Sequence, residues 1–350
     1  METAPQRPTV SVIIPARNEE ACLGDCLQSL VVQSGVAFEI IVVDDHSTDR
    51  TREIASSFPS VQPIEAGPLP EGWTGKNNAV TAGARQACGE WLLFTDADTE
   101  HLPGSLARAL AEAQANHAEF LSYSPEQIVT GFWEKAVMPV IFAELASKYR
   151  PSEVSDPKSS AAAANGQYLL VTRDAYDAVG GHAAVARSLL EDVELARLVK
   201  QSGRKIFFRF GGDAVRTHMY RSFPQLREGW TKNLGLLFSR SQWLAAWRTL
   251  EFLLLMTCLI MGIMAMTARD YLQVAFYSAL PVVTFLRIRR AHFSWQANIL
   301  ALFGLPLFSY LLLRSWLSHR GGTVGWKGRT YDARENSKVE PVRATIGRAS

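Results

Sequence analysis

Acidic side chains follow two apolar runs of the chain, at positions where a strand would end. Asp96 and Asp98 come after the run WLLFT, and Asp44 and Asp45 come after EIIVV. If the chain stays extended after the first run, positions two apart point the same way, so the carboxylates of Asp96 and Asp98 face one site. Such ligands suit Mg²⁺ or Mn²⁺, and either ion could neutralise a diphosphate. Taken alone, each pair is also typical of exposed acids near a turn or of a helix cap.

A loop and a helix start carry further polar groups. Lys76 stands in the segment GWTGKN, where glycines bracket a cation just before a helix, and helix N-terminal amides beside a lysine suit a phosphate. An ordinary turn with a solvated lysine fits the same segment. Glu191 and Asp192 open an amphipathic stretch, where the positive end of the helix dipole stabilises acids without any catalytic role. The same field would keep a carboxylate ionised, as a general base requires.

The acidic residues can form one site only if a sheet brings the ends of their strands together. Buried strands are predicted from apolar runs at residues 9–14, 39–43 and 91–95, the first stopped by Pro15. Helices are predicted from apolar spacing over residues 20–30, 49–58 and 76–87. This alternation indicates an α/β fold with a mostly parallel sheet, in which ligands bind beyond the carboxyl ends of the strands. The chain has neither G-x-G-x-x-G after the first strand nor a P-loop, which argues against those two nucleotide sites.

The composition indicates more than one structural unit and contact with a membrane. The chain has 350 residues, of which 47% are hydrophobic and only 20% charged, so it is not a disordered chain. Lys plus Arg (36) nearly balance Asp plus Glu (34), and no basic field indicates a nucleic-acid partner. The 4 cysteines are too scattered for a disulfide framework and indicate buried thiols in a reducing compartment. The N-terminus lacks the apolar run of a signal peptide, so we expect the front half in the cytosol.

Hydropathy and charge divide the chain near Thr249. Three apolar stretches follow, at residues 252–268, 271–286 and 297–313. As helices they would be about 24–26 Å long, slightly short of a ~30 Å hydrocarbon core, so the first is a predicted span and the others are either spans or buried core helices. The predicted segments are a disordered N-terminus at 1–8, an α/β domain at 9–235, an interfacial connector at 236–248, a membrane helical segment at 249–313 and a basic tail at 314–350.

Arginines set the expected orientation of the apolar segment. Short loops rich in Lys and Arg prefer the cytosol, and both residues 287–290 and the tail after residue 314 are basic. Three full spans would put that tail outside if the front half is cytosolic. Residues 304–306, which read GLP, offer a break in the third stretch. We therefore expect two spans and a third segment that is re-entrant or interfacial, with residues 326–331 returning towards the candidate site.

Taken together, these fragments resemble glycosyltransferase family 2, whose members are inverting nucleotide-sugar enzymes of the GT-A fold. The matching motifs, in the family's order and spacing, are SVIIPARNEE at 11–20, EIIVVDDHSTDRT at 39–51, TDADT at 95–99 and LLEDVELA at 189–196. The segments PLPEGWTGKN, GGH, EGWTKN and WKGRTY are similar to the membrane-bound branch that glycosylates carotenoids such as diaponeurosporenoate and hopanoid-type lipids. The resemblance covers residues 9–235 as a whole.

The resemblance implies a role for individual residues. On the nucleotide side, the implied residues are Pro15, Ala16, Glu19, Asp45, Lys76 and Asp96. Asp98, with help from Asp96, would hold Mg²⁺ or Mn²⁺, and Asp192 would be the general base. Beside the acceptor, the implied residues are Glu191 and Trp230, with Trp230 as an acceptor platform rather than a core side chain. Beside the leaving diphosphate, a cation would come from Arg221, Arg227 or Lys232.

One departure from the family bears on the product. Processive synthases usually carry Q-x-x-R-W, whereas residues 226–230 here are LREGW and keep only the tryptophan, which favours a single transfer. The resemblance therefore implies transfer of one sugar from a UDP-sugar to a membrane lipid, such as a carotenoid or hopanoid, at the cytoplasmic face of the inner membrane. A processive polysaccharide synthase and a non-catalytic, membrane-tethered sugar-nucleotide binder are the alternatives. The binder is disfavoured because Asp45, Asp98 and Asp192 are all retained.

Overall fold

The computed structural model describes residues 8–332, and the chain divides into two compact units. The α/β unit consists of Met1–Ile128 and Tyr149–Met219. The helical unit consists of Val129–Lys148 and Tyr220–Ser350. This division differs from the predicted boundary at residue 235. The difference arises because two helices inside the predicted domain pack with the C-terminal helices instead of with the sheet.

Twelve strands form within residues 8–332. They are β1 (Val10–Ala16), β2 (Phe38–Asp44), β3 (Val61–Glu65), β4 (Trp91–Phe94), β5 (Thr99–His101), β6 (Phe120–Ser124), β7 (Glu126–Gln127), β8 (Leu169–Thr172), β9 (Ile206–Phe210), β10 (Val215–Thr217), β11 (Thr323–Trp326) and β12 (Arg329–Asp332). Seven of them form a sheet in the order β3-β2-β1-β4-β8-β6-β9, in which only β8 runs antiparallel to its neighbours. The predicted α/β fold with a mostly parallel sheet is confirmed.

Fourteen α-helices form in the same described part of the chain. They are α1 (Leu23–Val31), α2 (Thr51–Ser56), α3 (Gly75–Gln86), α4 (Ser105–Ala115), α5 (Phe132–Lys148), α6 (Pro151–Ser155), α7 (Arg173–Ala178), α8 (Gly181–Ala184), α9 (Glu191–Gln201), α10 (Phe223–Leu237), α11 (Ser241–Thr267), α12 (Tyr271–Arg289), α13 (Trp295–Leu300) and α14 (Leu305–Arg320). Helix α1 begins later than the predicted residue 20, because the chain first turns: the Leu23 N–H donates to the Glu19 carbonyl over 2.9 Å.

The central strands are buried on both faces, which holds their ends in fixed positions. Along β1, side chains alternate between a cluster beneath α1 and a cluster beneath α3, and Val12, Ile13 and Ile14 are fully buried. Burying such a side chain is worth about 1.5–3 kcal/mol. Helix α3 lies very close to the sheet, since a Cβ on Gly83 would stand 2.5 Å from the Ile13 Cγ2. Glycine at position 83 therefore allows the helix to approach, and the first turn of α3 reaches the strand ends.

Proline 15 does not stop the first strand, which corrects the prediction. β1 continues to Ala16, and Pro15 pairs with Val43 of β2. The Ile13 carbonyl accepts from the Thr95 N–H over 3.1 Å, so the backbone polar groups of Ile13 face β4. Because the direction alternates along a strand, those of Pro15 face the same side. Pairing with β4 ends at Ile13, so no partner strand requires the N–H that proline lacks.

The helical unit contains α5, α10 to α14 and a hairpin of β11 and β12. Helices α10 and α14 are joined through Ser315, whose hydroxyl accepts from the Gly235 N–H (2.7 Å) and donates to the Thr231 carbonyl (2.6 Å). Helix α10 runs to Leu237 and α11 begins at Ser241, so the predicted connector at 236–248 is mostly helix. The predicted tail begins as the end of α14 and the hairpin, and residues 333–350, like residues 1–7, lie outside the described part.

Two helices of the described chain are long and apolar enough to cross a membrane, α11 and α12. The third apolar stretch is bent by 68° between residues 295–301 and α14. The bend lies at Gly304, where a break was predicted, and a Cβ there would stand 1.7 Å from the Ala136 carbonyl oxygen of α5. The close contact of the two backbones accounts for glycine at the bend.

Four charged side chains form a buried network between α5, α11 and α12. Arg248 contacts Glu144 (2.8 Å) and Glu251 (2.5 Å), and Arg287 contacts Glu251 (2.8 Å). Three of the four side chains are only 10–11% exposed, and Arg287 is 22% exposed. The Thr284 hydroxyl adds a hydrogen bond to Glu251 over 3.1 Å. With two arginines and two glutamates the network is neutral, so its burial leaves no uncompensated charge.

Removing one carboxylate should destabilise the helical unit. We expect Glu144→Gln to cost about 3–5 kcal/mol, because it leaves two buried guanidinium groups with one glutamate. The measurement is thermal unfolding of the detergent-solubilised chain. Glu153→Gln is the control, since Glu153 forms an exposed pair with Arg150 and should cost at most about 1 kcal/mol. Equal melting temperatures for wild type and Glu144→Gln would contradict the prediction.

Candidate functional site

The carboxyl ends of β1 and β2 bring together four of the six residues predicted on the nucleotide side, Pro15, Ala16, Glu19 and Asp45. Ala16 and Asp44 are paired across the two strands, and the Asp45 N–H donates to the Ala16 carbonyl over 2.8 Å. Asp45 is buried, and its carbonyl accepts from the Arg17 guanidinium over 2.7 Å. Pro15 and Ala16 therefore lie beside Asp45, and their contact with a nucleotide stays a prediction.

The loops that follow these two strands are tied to each other. The Glu19 N–H donates to the Thr51 hydroxyl over 2.8 Å, and the Thr48 N–H donates to the Asn18 side-chain oxygen over 2.8 Å. Asn18 adopts a φ of 53°, a conformation that asparagine tolerates better than most residues. These bonds hold Glu19 at the rim of the same strand ends.

Lys76 links the end of β4 to the start of α9. Its ammonium group lies 2.8 Å from the Asp96 carboxylate and 2.8 Å from the Glu191 carboxylate. Lys76 stands in the first turn of α3, where the Thr74 hydroxyl caps the helix by accepting from the Asn77 N–H. Burial alone would lower the pKa of Lys76, but the neighbouring carboxylates raise it well above its ordinary value. The lysine is therefore a permanent cation in this site, and the alternative of a solvated turn lysine does not apply.

The Asp192 carboxylate lies next to this ion cluster. One oxygen accepts from the Gly166 N–H over 2.8 Å and the other from the Val193 N–H over 2.8 Å. Burial and the charge of Glu191 raise the pKa of Asp192 to about 6. The sequence analysis expected the helix field to favour the ionised carboxylate, but burial and the adjacent glutamate outweigh that field and raise the pKa. Asp192 is still mostly ionised at neutral pH and remains able to accept a proton.

The chain turns between Asp96 and Asp98 instead of staying extended. The Thr99 N–H donates to the Asp96 carbonyl over 3.2 Å, and Ala97 between them is buried. Both carboxylates still lie near the Cys26 thiol. Burial raises the pKa of that thiol, and the charges of Asp98 and Asp96 raise it further. No group of three His, Cys, Asp or Glu side chains that could hold a metal occurs within residues 8–332. Two carboxylates suffice for Mg²⁺ or Mn²⁺ when a bound diphosphate supplies further oxygens, so this donor set fits such an ion.

The residues predicted beside the acceptor and the leaving diphosphate fall in two different units. Glu191 belongs to the α/β unit, where it pairs with Lys76. Arg227, Trp230 and Lys232 all lie on α10 of the helical unit. The predicted group is thus divided between two compact parts of the chain.

Trp230 is a core side chain, which corrects the prediction of an acceptor platform. It is 2% exposed, its indole N–H contacts the Met138 sulfur at 3.3 Å, and its ring packs near Phe142 and Tyr220. A base- or sugar-stacking ring needs an open face, and this one has none. Sequence alone does not show whether an aromatic residue in an amphipathic helix is exposed or part of the core, because its burial depends on the partner helix.

Residues 326–331 fold onto α10 as the turn and strands of the β11–β12 hairpin. The Lys327 N–H donates to the Glu228 carboxylate over 3.1 Å, and the Lys232 ammonium lies 4.7 Å from the centre of the Trp326 ring. The hairpin therefore belongs to the helical unit, and its expected approach to the active site stays a prediction.

Gly166 is a site residue that the sequence analysis missed. Its N–H holds the Asp192 carboxylate, and a Cβ at this position would stand 3.0 Å from the Lys76 ammonium nitrogen. The only signal was the dipeptide Asn165-Gly166, which indicates a turn but not the residue that the turn faces.

Comparison with known proteins identifies the family of this chain. Residues 11–193 match the family described as glycosyl transferase family 2. The chain is 29% identical over 332 residues to a 4,4'-diaponeurosporenoate glycosyltransferase of Staphylococcus aureus strain MRSA252, an alignment that covers 92% of this chain and 88% of the relative. The protein of that name from strain USA300 is 28% identical over 333 residues, with the same coverage.

A solved structure supports the fold. The mannosyltransferase PcManGT from Pyrobaculum calidifontis, in complex with GDP-Man and Mn²⁺, superposes with a TM-score of 0.54 at 17% sequence identity, covering 90% of this chain and 87% of that one. The predicted resemblance is thereby confirmed, because the family match exceeds half of the 350 residues. The chain belongs to glycosyl transferase family 2: it is a glycosyltransferase with the GT-A fold, similar to the diaponeurosporenoate glycosyltransferase branch.

Proposed function

We propose that the chain transfers one sugar from a UDP-sugar to a membrane lipid of the carotenoid or hopanoid type, with inversion at the anomeric carbon. The observation that carries this proposal is the ion cluster of Lys76, Asp96 and Glu191 beside the Asp192 carboxylate. It combines a permanent cation, which suits a diphosphate, with a carboxylate that accepts protons near neutral pH. The names of the relatives add the class of acceptor.

In the proposed reaction, the acceptor hydroxyl attacks the anomeric carbon while Asp192 takes its proton. The bond between that carbon and the diphosphate oxygen breaks, and the nucleoside diphosphate leaves with the electron pair. Lys76 would stabilise the charge that develops on the leaving oxygen, because a fixed cation in a partly buried site acts without reorganisation. Pro15, Ala16, Glu19 and Asp45 would border the base and ribose.

A divalent ion fits beside Asp98 and Asp96. Bound there, Mg²⁺ or Mn²⁺ would neutralise charge on the donor diphosphate. Asp98 is the principal proposed ligand, because Asp96 already shares its carboxylate with Lys76.

The membrane assignment is supported by α11 and α12, which have the length and composition of spans. We propose an inner-membrane protein with the α/β unit on the cytoplasmic side, two spans and a third segment that does not cross. Such an anchor would bring the catalytic unit to lipid acceptors at the bilayer surface.

The function is tested with detergent-solubilised chain, a panel of labelled UDP- and GDP-sugars and lipid extract from the host membrane. We expect one labelled lipid that carries a single sugar, identified by mass spectrometry. Repeating sugar units on the product would indicate a processive synthase. Binding of a sugar nucleotide with neither transfer nor hydrolysis would indicate a non-catalytic binder.

Loss of the proposed metal ligand should abolish turnover without unfolding the chain. We expect Asp98→Ala to remove most activity, because it empties the proposed ligand position. The fold should remain intact, because Asp98 is half-buried at a strand end and holds no part of the apolar core. EDTA should act in the same way on the wild type, and Mg²⁺ or Mn²⁺ should restore it. Asp25→Ala, at an exposed position of α1, is the control. Full activity in excess chelator would rule out the metal.

The pH profile should report the base. Asp192 acts only when ionised, so wild-type turnover should rise with pH through about 6, where its raised pKa lies. If the acceptor is an alcohol, Asp192→Asn should lower kcat by about 10²–10⁴-fold with little change in donor affinity, and the acid limb should disappear. Glu194→Gln, on the same helix and paired with Arg197, is the control.

The same variant distinguishes two acceptors. A lipid carboxylate is already ionised at neutral pH and needs no base, so near-normal turnover of Asp192→Asn would indicate a glycosyl ester product. We expect the alcohol, because the acidic pair Glu191-Asp192 is retained at the start of α9.

Topology is tested by labelling cysteines with a membrane-impermeant maleimide. We expect Thr267→Cys, at the end of α11, to react in intact spheroplasts, and Thr330→Cys, in the hairpin, to react only after lysis. The exposed native Cys88 of the α/β unit is the internal control and should also require lysis. Reaction of Thr330→Cys in intact spheroplasts would show that the third segment crosses the membrane.

A further inference from the structure

A second side chain in the first turn of α3 reaches the segment before α9. Asn77 is fully buried, and its side-chain amide donates to the carbonyls of Val185 (2.9 Å), Ala186 (3.0 Å) and Ser188 (3.1 Å). All three carbonyls belong to the segment between α8 and α9. One amide therefore gathers the chain immediately before the proposed base.

The chemistry of this contact requires a donor. Three carbonyl oxygens converge on one NH₂ group, so a carboxylate at the same position would be repelled by all three. Thr74 strengthens the same junction, because its N–H donates to the Ala186 carbonyl over 2.9 Å and its hydroxyl caps α3 by accepting from the Asn77 N–H. The loop is thus bound to the N-terminus of α3 by backbone and side chain together.

The residue at the N-cap position of helix α9 does not cap it. Leu190 occupies its N-cap position, and no side-chain hydrogen bond caps the helix there. A helix start normally gains order from such a cap. The position of the first turn of α9, which carries Glu191 and Asp192, therefore depends on contacts from outside the helix. The Gly166 N–H holds the Asp192 carboxylate, and α3 contributes through Lys76 and Asn77.

We propose that Asn77 is a positioning residue for Asp192: it fixes the loop before α9 so that the carboxylate meets the acceptor proton. This proposal rests on the proposed role of Asp192 as the general base. Asn77 contacts no reacting group itself, and its effect on turnover passes through the loop and α9. A shift of about 1 Å at a catalytic group can cost about 10²-fold in rate.

The next residue along the chain offers a matched control. Asn78 is also buried, and its amide donates to the carbonyls of Ala66, Gly67 and Pro68, each over 3.3 Å. It has the same side chain, the same helix turn and the same type of partner, but it holds the loop after β3. Asn77→Ala and Asn78→Ala therefore remove equivalent groups from two different loops.

The test is a double-mutant cycle with Asp192→Asn. Turnover is measured in detergent with host-membrane lipid extract and the sugar nucleotide of the panel that the wild type uses fastest. We expect Asn77→Ala to lower kcat by about 10–100-fold in the wild-type background, with little change in donor KM, and to cost almost nothing further in the Asp192→Asn background. Asn78→Ala should change kcat by the same factor in the wild-type and the Asp192→Asn backgrounds.

Each other result decides against the proposal. An equal loss from Asn77→Ala in both backgrounds, or wild-type kcat, would overturn it. If neither Asn77→Ala nor the milder Asn77→Ser gives folded protein by thermal melting, Asn77 serves the whole fold rather than the base. Full activity of Asp192→Asn alone would instead remove the proposed base, which separates failure of the proposed function from failure of the positioning role.

Discussion

The ammonium group of Lys76, 2.8 Å from both Asp96 and Glu191, is the contact on which the site depends. Without this cation, carboxylates from the end of β4 and the start of α9 would face and repel each other in a partly buried place. Two unit charges 4 Å apart near a protein surface interact by about 4 kcal/mol, so a cation between the two carboxylates offsets a repulsion of that order. The lysine stands on α3, which lies against the sheet because Gly83 has no side chain. Packing between helix and sheet therefore determines where the charge is.

Local patterns predicted those parts of the structure that depend on local burial. Apolar runs gave the buried strands β1, β2 and β4, and the rule that parallel strands end at one edge placed Asp45 and Asp96 on that edge. The assignment of Asp192 required more than pattern. A carboxylate at a helix start is common, and only the family resemblance distinguished it from an ordinary acidic helix turn.

Features that depend on a partner distant in sequence were not predictable. Nothing in the local sequence shows that α5 and α10 pack with C-terminal helices rather than with the sheet, and Trp230 was misassigned for that reason. The strand through Pro15 depends on where pairing with β4 ends. The raised pKa of Asp192 depends on how deeply the start of α9 is buried, and the motif at residues 189–196 does not show how deep that burial is.

The ion cluster of the helical unit and the ion cluster around Lys76 differ in their balance of charge. In the helical unit, Arg248 and Arg287 balance Glu144 and Glu251, and these side chains are largely enclosed. In the α/β unit, one lysine faces several carboxylates, and the Lys76 and Asp96 side chains are 35% and 30% exposed. A neutral, enclosed network has no unmet charge and serves to hold helices together. A half-exposed cluster with excess negative charge is incomplete alone, and a divalent cation bound with a diphosphate would complete it. The balance of charge, together with exposure, separates the structural cluster from the one that we propose to be functional.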